Sequence, residues 1–431
     1  MARLSAPDCT GPLSPNVMKT SLIPALILAA VSFTPALRAA HEVSFEKELF
    51  ITAPEVLDSP EAGPGGAWHI RSALGRIAGK GADVDAYAAA WFASWADNES
   101  LAGVNDTFAR RPWVTAALSE AWKGNRIHLI AIVNRIDLAR FPGGNTAKAP
   151  LTLGEGRFIY EVRASNGQRL PFTLIFEYGV PFNRAGDSKV ALREWAKRWH
   201  ALGRPGLVPG SPEYRQELVK LTDEYSAHGT LNQIRTNEFL EVPPGQERLW
   251  ELREFHHRQG PAALLQAPVA ITPAIAFSRG TDVGQLRNFL SGKSGDLLAG
   301  RHDSLLRGFQ AATSSVSSPG FKWQVDAGGD QVLDRARFIF SFNTCSGCHA
   351  GDTGTFFQHI GVSTGAKPLS PFLSGAIPLE KPLPPESNTK VSHNEREDRI
   401  ALLKGFASES VTAAVQDNLT ELIQERANRV H

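Results

Sequence analysis

Two segments rich in aromatic and β-branched residues, joined by a tight turn, constrain the fold of this chain most. Residues 158–162 (Phe-Ile-Tyr-Glu-Val) and 172–176 (Phe-Thr-Leu-Ile-Phe) flank Ser165-Asn166-Gly167, and Asn-Gly between two such segments is a strong β-hairpin signal. Residues 233–241 and 248–255 flank Pro243-Pro244-Gly245 in the same way. Adjacent hairpins predict an antiparallel or mixed sheet with helices packed against it, and therefore an α+β fold.

The rest of the chain alternates helical and strand patterns. Aromatic side chains recur at helical spacing in Tyr87, Trp91 and Trp95, and again in Trp195 and Trp199, which is typical of helices that bury one face. The pattern predicts helices over 69–79, 83–96, 112–123, 189–202, 212–226 and 281–291, strands over 127–133, 157–163, 171–178, 233–241, 248–255 and 263–271, and further helices over 330–344 and from Glu395 onward.

The first forty residues have the parts of a secretory signal peptide. Lys19 precedes the apolar run 22–31, and the segment ends in small residues at Ala39 and Ala40. The run is shorter than the roughly 20 apolar residues that a spanning helix needs. We expect cleavage after Ala39 or Ala40, a periplasmic or secreted protein, and no integral membrane segment after cleavage.

Two features qualify this interpretation of the N-terminus. A buried helix is the alternative to a leader, but Pro24 within the apolar run and Pro35 after it disfavour a helix. Residues 1–17 read as polar sequence with no role in export, so translation starting at Met18 instead of Met1 would give a leader of ordinary form.

The length of 431 residues predicts two or three domains. A segment between 311 and 329 is rich in Ser and Gly, which is typical of a linker. The organisation that we expect is a signal peptide with an upstream extension over 1–40, an α+β domain of unknown role over 41–310, the linker over 311–329 and a small, mainly α domain over 330–431.

The motif with the clearest chemistry is Cys345-Ser346-Gly347-Cys348-His349, a C-x-x-C-H sequence that is the attachment signal of c-type haem. Two residues between the thiols let one helical turn present both sulfurs to one edge of a porphyrin, and the adjacent His supplies the proximal ligand of the iron. Covalent haem is attached outside the cytoplasm, in agreement with the predicted leader. We therefore expect one covalent haem c, with its iron, on Cys345, Cys348 and His349.

Three other roles of the two cysteines stay open from sequence. They could form a local disulfide in an oxidising compartment. They could bind zinc with His349 and another His, although structural zinc sites more often show a second ligand pair at clear spacing. They could be a thioredoxin-type redox pair, although no βαβ pattern surrounds them.

Sulfur content limits the second ligand of such an iron. The chain has only two Met, Met1 and Met18, and both precede the predicted cleavage point, so His/Met ligation is excluded in the mature chain. His359 follows Phe356-Phe357 and is our preferred second ligand, which would make His349 and His359 the metal ligands. His393 and an open site are the alternatives.

Charged and polar residues concentrate on the predicted strands of the larger domain. They could form a polar pocket for acid–base work or an anionic ligand, or they could be buried Arg–Glu pairs and a solvated sheet face. The nearly balanced 45 Lys+Arg and 44 Asp+Glu argue against a nucleic-acid partner. The residues concerned are Asn134, Arg135, Asp137, Glu155, Arg157, Glu177, Arg235, Asn237, Glu238, Arg253 and Glu254.

Two resemblances accompany these motifs. The apolar segment 336–344 running into the C-x-x-C-H motif, with a C-terminal helix able to pack on it, resembles a cytochrome c domain. The chain as a whole is similar to a family of exported bacterial proteins without an established activity. The runs that carry this second similarity are 131–138, 154–158, 176–178, 235–238, 250–255, 343–349 and 357–360.

The resulting hypothesis is an exported monohaem c-type cytochrome-like protein that transfers electrons to or from a redox partner protein. An oxidoreductase role is left open. The alternatives are an exported enzyme with a polar active site in the α+β domain, or a non-catalytic binding protein with a CxxC disulfide or zinc site.

Overall fold

Twelve strands occur in the part of the chain that the structure, a computed structural model, describes. That part comprises residues 41–101, 104, 107–140, 151–182, 187–239, 250–258, 263–269, 272–274, 283–298, 311–316, 318–361, 368–376, 379–382, 390–408, 417, 419–420 and 423. The strands are β1 (Phe50–Ile51), β2 (Glu99–Ser100), β3 (Thr107–Phe108), β4 (Ile127–Arg135), β5 (Glu155–Arg163), β6 (Arg169–Gly179), β7 (Leu231–Glu238), β8 (Trp250–Arg258), β9 (Ala263–Ala267), β10 (Ser314–Val316), β11 (Leu379–Pro382) and β12 (Lys390–His393).

Eight of these strands form one antiparallel sheet. Its order is β1-β4-β5-β6-β7-β8-β10, and β9 also pairs with β8. β9 pairs with β8 over Glu254–Arg258, and β10 pairs with it over Trp250–Leu252, so the two share one edge of β8. The remaining strands form two short antiparallel ribbons, β2 with β3 and β11 with β12.

The described helices pack on this sheet or on one another. They are α1 (Pro54–Leu57), α2 (Ile70–Ala78), α3 (Val84–Ala93), α4 (Pro112–Lys123), α5 (Ser188–His200), α6 (Pro212–Tyr225), α7 (Val283–Leu298), α8 (Gln331–Phe342), α9 (Cys345–Cys348), α10 (Pro371–Ser374) and α11 (Glu395–Ala407), with short 3₁₀ or π turns at Phe45–Leu49, Ile136–Leu138 and Ala201–Gly203. Side-chain caps begin several of them: the Asp83 carboxylate accepts from two amides of α3, and Asp330 does the same for α8.

The α+β class with an antiparallel sheet and packed helices is confirmed. The hairpin predicted around Asn166-Gly167 joins β5 to β6, and Gly167 has a φ of 81°, a left-handed conformation that suits Gly. β7 and β8 pair antiparallel as predicted. The turn expected at Pro243-Pro244-Gly245 lies outside the described residues, as does the predicted leader over 1–40.

Alternation along the strands gives the sheet two different faces. On the first, the aromatic face, Phe158, Phe176 and Phe255 lie in register across β5, β6 and β8. Trp91 of α3 contacts two of these rings, at 6.2 Å from Phe176 and 5.7 Å from Phe255, measured between ring centroids. This face is the apolar core between the sheet and the helices that precede β7.

The second face, the charged face, carries Arg157, Glu177, Arg235 and Glu254 on the same four central strands. It is also buried, because the segment that contains α9 and α10 covers it. The two faces therefore differ in chemistry, although most residues of these strands are buried.

The chain after residue 311 packs directly on this sheet. Ser314–Val316, within the segment predicted as a linker, is β10 and pairs with β8. The described residues belong to one compact unit, His41–His431. The domain boundaries at 310 and 330 stay predictions; what the structure adds is that the segment with the two cysteines is attached to the sheet by strand pairing.

The aromatic face predicts a strong dependence of stability on Phe158. Phe158 is fully buried against the rings of Tyr178 and Tyr225, so Phe158→Ala should lower the free energy of unfolding by about 3–5 kcal/mol through lost burial and a residual cavity. Val190→Ala, at a side chain that is 55% exposed, should change it by less than about 0.5 kcal/mol. Urea denaturation measures both, and equal losses would contradict the assignment of the core.

Candidate functional site

A cavity lies between the charged face of the sheet and the C-x-x-C-H segment. Its volume is about 90 Å³, and its walls include Cys345, His349 and His359 from that segment. The sheet contributes side chains from β4 to β8, and α11 contributes Arg399. The cavity therefore brings together three of the four residues predicted from the sequence, and the fourth, Cys348, contacts His359.

The helical turn α9 that carries both cysteines is held from several sides. Thr344 caps it: its hydroxyl accepts from the amide of Gly347 at 3.3 Å and from the indole of Trp323 at 2.8 Å. The hydroxyls of Ser346 and of Ser314 on β10 are 2.6 Å apart. A Cβ on Gly347 would lie 2.0 Å from the carbonyl oxygen of Ser341, so the third position of the motif has room only for Gly.

His349 is buried and oriented by its own surroundings. Its Nδ1 lies 2.8 Å from the carbonyl oxygen of Phe357, and since a carbonyl only accepts, Nδ1 carries the hydrogen and Nε2 presents a lone pair. The ring stacks on Trp250 at 4.8 Å between centroids. Burial lowers the pKa of His349 to about 4, which keeps the ring neutral. A neutral, oriented imidazole with a free Nε2 is what metal ligation requires.

The carbonyl that orients His349 belongs to a strained residue. Phe357 has a φ of 59°, in the left-handed region that bulky side chains avoid. Its ring is buried against Phe239 at 4.6 Å between centroids. Such a conformation costs about 1–3 kcal/mol and persists where the surrounding structure enforces it, frequently at functional sites. Here it turns the Phe357 carbonyl toward the imidazole.

Both cysteines are free, buried thiols. Burial raises the pKa of the Cys345 thiol and raises that of Cys348 well above its usual value. A catalytic C-x-x-C pair needs the opposite, a thiol whose pKa is lowered. These two thiols are therefore held neutral, and a thioredoxin-type role is disfavoured.

His359 connects Cys348 to Ser370. Its Nε2 is 3.4 Å from the Cys348 sulfur, and its Nδ1 is 2.9 Å from the Ser370 hydroxyl. The rings of His349 and His359 are 4.5 Å apart between centroids. Two metal–nitrogen bonds of about 2 Å each require more separation than that, so His359 must move outward before a metal ion fits between the rings.

The charged residues of the central strands form a continuous row of ion pairs. Arg157 pairs with Glu177 at 3.2 Å across β5 and β6, and Arg235 pairs with Glu254 at 3.0 Å across β7 and β8. Arg235 also lies 3.5 Å from Glu177, which joins the two pairs. Burial opposes the charge on Arg235, but Glu177 and Glu254 outweigh it and raise its pKa.

A second group of ion pairs ties α11 to the end of β4. Arg135 donates to Asp137 at 2.8 Å, and Arg399 lies 3.8 Å from the same carboxylate and also pairs with Glu395. The charged residues that the sequence offered as either a pocket or structural pairs thus form ion pairs, and some of them also line the cavity. Glu238 and Arg253 are different, since they lie on the opposite face and bond near Trp95.

Three donors at the cavity have no hydrogen-bond acceptor. They are Nε2 of Gln358, Nε of Arg157 and Nη1 of Arg399, each a buried atom of a residue in the cavity wall. Sequence reasoning named Arg157 but did not single out Arg399 or Gln358. Arg399 and Gln358 reach the cavity only through packing between distant segments, for which the sequence carries no local signal.

A cluster of His41, Glu48 and His200 also places three potential metal-ligating atoms within 4.8 Å of one another. Its geometry is that of a hydrogen-bond network: Nδ1 of His200 is 2.8 Å from Glu48, and Nε2 of His41 is 2.9 Å from the His200 carbonyl oxygen. The two rings stack at 4.0 Å with an angle of 18°. Stacked rings cannot both direct a lone pair at one ion.

His393 is the alternative second ligand from the sequence, and its side chain lies outside the described residues. No protein-family model, curated protein or solved structure matches this chain. No helix in the described part of the chain is both long and apolar enough to cross a membrane.

The ion pair of Glu155 with Arg157 predicts that stability depends on pH. Burial alone would raise the pKa of Glu155, but Arg157, 2.8 Å away, outweighs it and the pKa falls to about 2. A carboxylate with a lowered pKa stabilises the fold above its unfolded pKa near 4.5, and this contribution is lost as the pH falls toward 2. The shift corresponds to about 3 kcal/mol.

Glu155→Gln should therefore destabilise the protein at pH 7, and the difference from the wild type should narrow as the pH falls from 5 toward 3. Urea denaturation across this range measures the difference. Glu120→Gln, at an exposed pair with Arg126, is the matched control and should give a small difference at every pH. A gap for Glu155→Gln that stays constant with pH would contradict the assignment.

Proposed function

We propose that this chain is an exported monohaem c-type cytochrome-like protein that transfers electrons. One haem would be bound covalently through Cys345 and Cys348, with His349 as the proximal ligand of its iron. The observation that carries the proposal is the arrangement of the motif: two neutral thiols on one helical turn, next to a neutral His349 whose Nδ1 bonds to Phe357 and whose Nε2 is left for a metal.

The chemistry of the thiols agrees with this role. A thiol S–H can add across a vinyl C=C, with sulfur bonding to one carbon and hydrogen to the next, so attachment needs no oxidant. When bound, haem iron would supply one-electron redox chemistry. The protein's own contribution would be to orient the imidazole through the Phe357 carbonyl and to limit access of water around the iron.

The space at the site constrains how the haem is received. Sites for ligands of drug size have roughly 300–1,000 Å³, so the cavity of about 90 Å³ is too small for a porphyrin. A groove of about 360 Å³, lined by Phe356, Phe357 and Pro368, adjoins it and shares Gln358. Attachment would therefore require the wall around Gln358, which both spaces share, to move outward and join them.

The second axial ligand is proposed as His359, which lines the same cavity as His349. Since the rings are only 4.5 Å apart, the outward movement that admits the porphyrin would also separate them. His393 or an open position are the alternatives. An open position would leave the iron able to bind small ligands.

The cytochrome-like character of residues 330–431 is also a proposal. The helix α8 that runs into the motif packs against α7, while α11 packs against α5 and α10. The likeness to a cytochrome c domain therefore rests on the motif and the helix before it. We propose that the α+β part presents the haem segment to a redox partner protein in the periplasm or outside the cell.

Other roles of the same residues have less support. A disulfide would need the two thiols joined, and they are free. A zinc site at the two cysteines would need three or more ligand atoms close together. Among the described residues, the group that meets this condition is instead His41, Glu48 and His200. An active site in the α+β part would use the charged face, whose carboxylates are engaged in ion pairs.

The primary test is covalent haem. We expect the wild type, co-expressed with a cytochrome c maturation system, to give a pyridine haemochrome spectrum of c type and a mass increased by one haem. Cys348→Ala should lose one thioether bond, because one thiol is missing, and shift the haemochrome band to longer wavelength. Ser346→Ala, in the same turn, should keep both bonds. A wild type whose mass carries no haem would refute the proposal.

A separate prediction concerns His359. If it ligates the iron, His359→Ala should convert a low-spin absorption spectrum to a high-spin one and allow rapid binding of added imidazole, because a coordination position is opened. His228→Ala, at an exposed His that bonds to the Arg76 carbonyl, should leave the spectrum unchanged. A low-spin spectrum in His359→Ala would assign the position to another residue.

A further inference from the structure

A short antiparallel ribbon separates the cavity from the groove beside it. It consists of residues 359–361 and 368–370, which we call the flap. The two segments pair at Ile360 and Leu369, and backbone hydrogen bonds of 2.7 Å join them on either side of this pair. These internal bonds allow the flap to move as one unit.

The residues of the flap line two different spaces. His359 and Ile360 belong to the wall of the cavity of about 90 Å³, whereas Gly361 and Leu369 belong to the wall of the groove of about 360 Å³. The flap is therefore a partition between them. Moving it would join the two spaces into one whose volume lies within the roughly 300–1,000 Å³ of ligand sites.

The flap also covers the two thiols. The Nε2 atom of His359 lies 3.4 Å from the sulfur of Cys348, and Cys345 lines the cavity behind the flap. Both cysteines are buried. A reagent in solvent can therefore reach the sulfurs only when part of their cover moves.

One guanidinium group attaches the flap to the sheet. Arg169, at the start of β6, donates from Nη1 to the carbonyl oxygen of Gly361 and from Nη2 to that of Ile360, the latter at 3.3 Å. Its Nε lies 3.2 Å from a carboxylate oxygen of Glu161 on β5. Since only 7% of the Arg169 side chain is exposed, water competes little for these contacts.

The backbone next to the flap is strained in the closed state. Phe357, two residues before the flap, has a φ of 59°, which bulky side chains avoid. Such a conformation persists because the surrounding contacts enforce it, and the strain is relieved when those contacts are released. The strain therefore favours opening of the flap, and the hydrogen bonds of Arg169 oppose it.

We propose that the flap controls access to the thiols of Cys345 and Cys348, and that Arg169 is the residue that holds it closed. This inference does not depend on haem. Any reactive alkene that forms a thioether with these sulfurs would need the same movement, because the closed flap leaves both of them buried.

The test uses the protein expressed without a haem maturation system, whose thiols are free, and N-ethylmaleimide as the probe. A thiol adds across the C=C of this reagent, with sulfur bonding to one carbon and hydrogen to the other, so no oxidant is needed. Mass spectrometry assigns the added group to Cys345 or Cys348. Arg169→Gln should accelerate the labelling of both by about 10- to 100-fold, because hydrogen bonds from a charged group are lost.

Arg163→Gln is the matched control. Arg163 also pairs with Glu161, at 2.5 Å, and in the described part of the chain its guanidinium donates to Glu161 and not to the flap. Because 40% of its side chain is exposed, its loss should change the labelling rate little. If Arg169→Gln does not fold, Arg169→Lys keeps the charge beside Glu161 but lacks the planar fork that spans two carbonyls, and it should also be labelled faster than the wild type.

Hydrogen exchange separates opening of the flap from unfolding of the sheet. In Arg169→Gln, the amides of Gly361 and Ser370 should exchange faster, while those of Phe158 and Phe176 on the central strands change less. Labelling at the wild-type rate in Arg169→Gln, an equal acceleration in Arg163→Gln, or exchange accelerated equally in the flap and the strands would overturn the inference. A wild type that binds no haem would refute the proposed function and leave this inference standing.

Discussion

The row of ion pairs across the central strands is the interaction on which the rest of the structure depends. Arg157, Glu177, Arg235 and Glu254 alternate in sign from β5 to β8, so each charge has an opposite charge on a neighbouring strand. Burying such groups is costly unless they are paired. Because they are paired, the second face of the sheet can be covered by the segment that carries the two cysteines.

This pairing also explains why the two faces differ in chemistry. The aromatic face is stabilised by burial of rings around Phe158, Phe176 and Trp91, which is non-directional and tolerant of small shifts. The charged face is stabilised by directional contacts that fix side chains in place. The wall of the cavity beside α9 therefore contains polar side chains held in fixed positions, among them Arg157 and Arg399.

Much of the fold could be predicted from the sequence because the signals are local. The Asn166-Gly167 turn and the spacing of Tyr87, Trp91 and Trp95 predicted a hairpin and a helix within a few residues of their observed bounds. β10 was not predicted, since Ser314-Ser315 is typical of a linker and becomes a strand only by pairing with β8. Tertiary pairing there overrides composition.

The candidate site was predicted less completely, because contacts between distant parts of the chain decide which residues meet there. Cys345, Cys348 and His349 are adjacent in sequence and form a recognisable motif. Arg157 and Arg399, in contrast, meet at one cavity only because α11 packs beside the sheet, and nothing in either local sequence indicates that contact. The left-handed backbone of Phe357 is likewise invisible in a sequence where most such positions are Gly.

The position of β10 has a consequence for the order in which the chain acquires structure. The strands from β1 to β8 and the helices that fill the aromatic face all precede residue 260, so this part of the apolar core can form before β10 and α9 pack on the sheet. In that interval the uncovered side of the sheet would expose charged groups, which resist aggregation better than an apolar surface. The last third of the chain can then pack on a sheet that has already formed. Its two thiols stay accessible until it does.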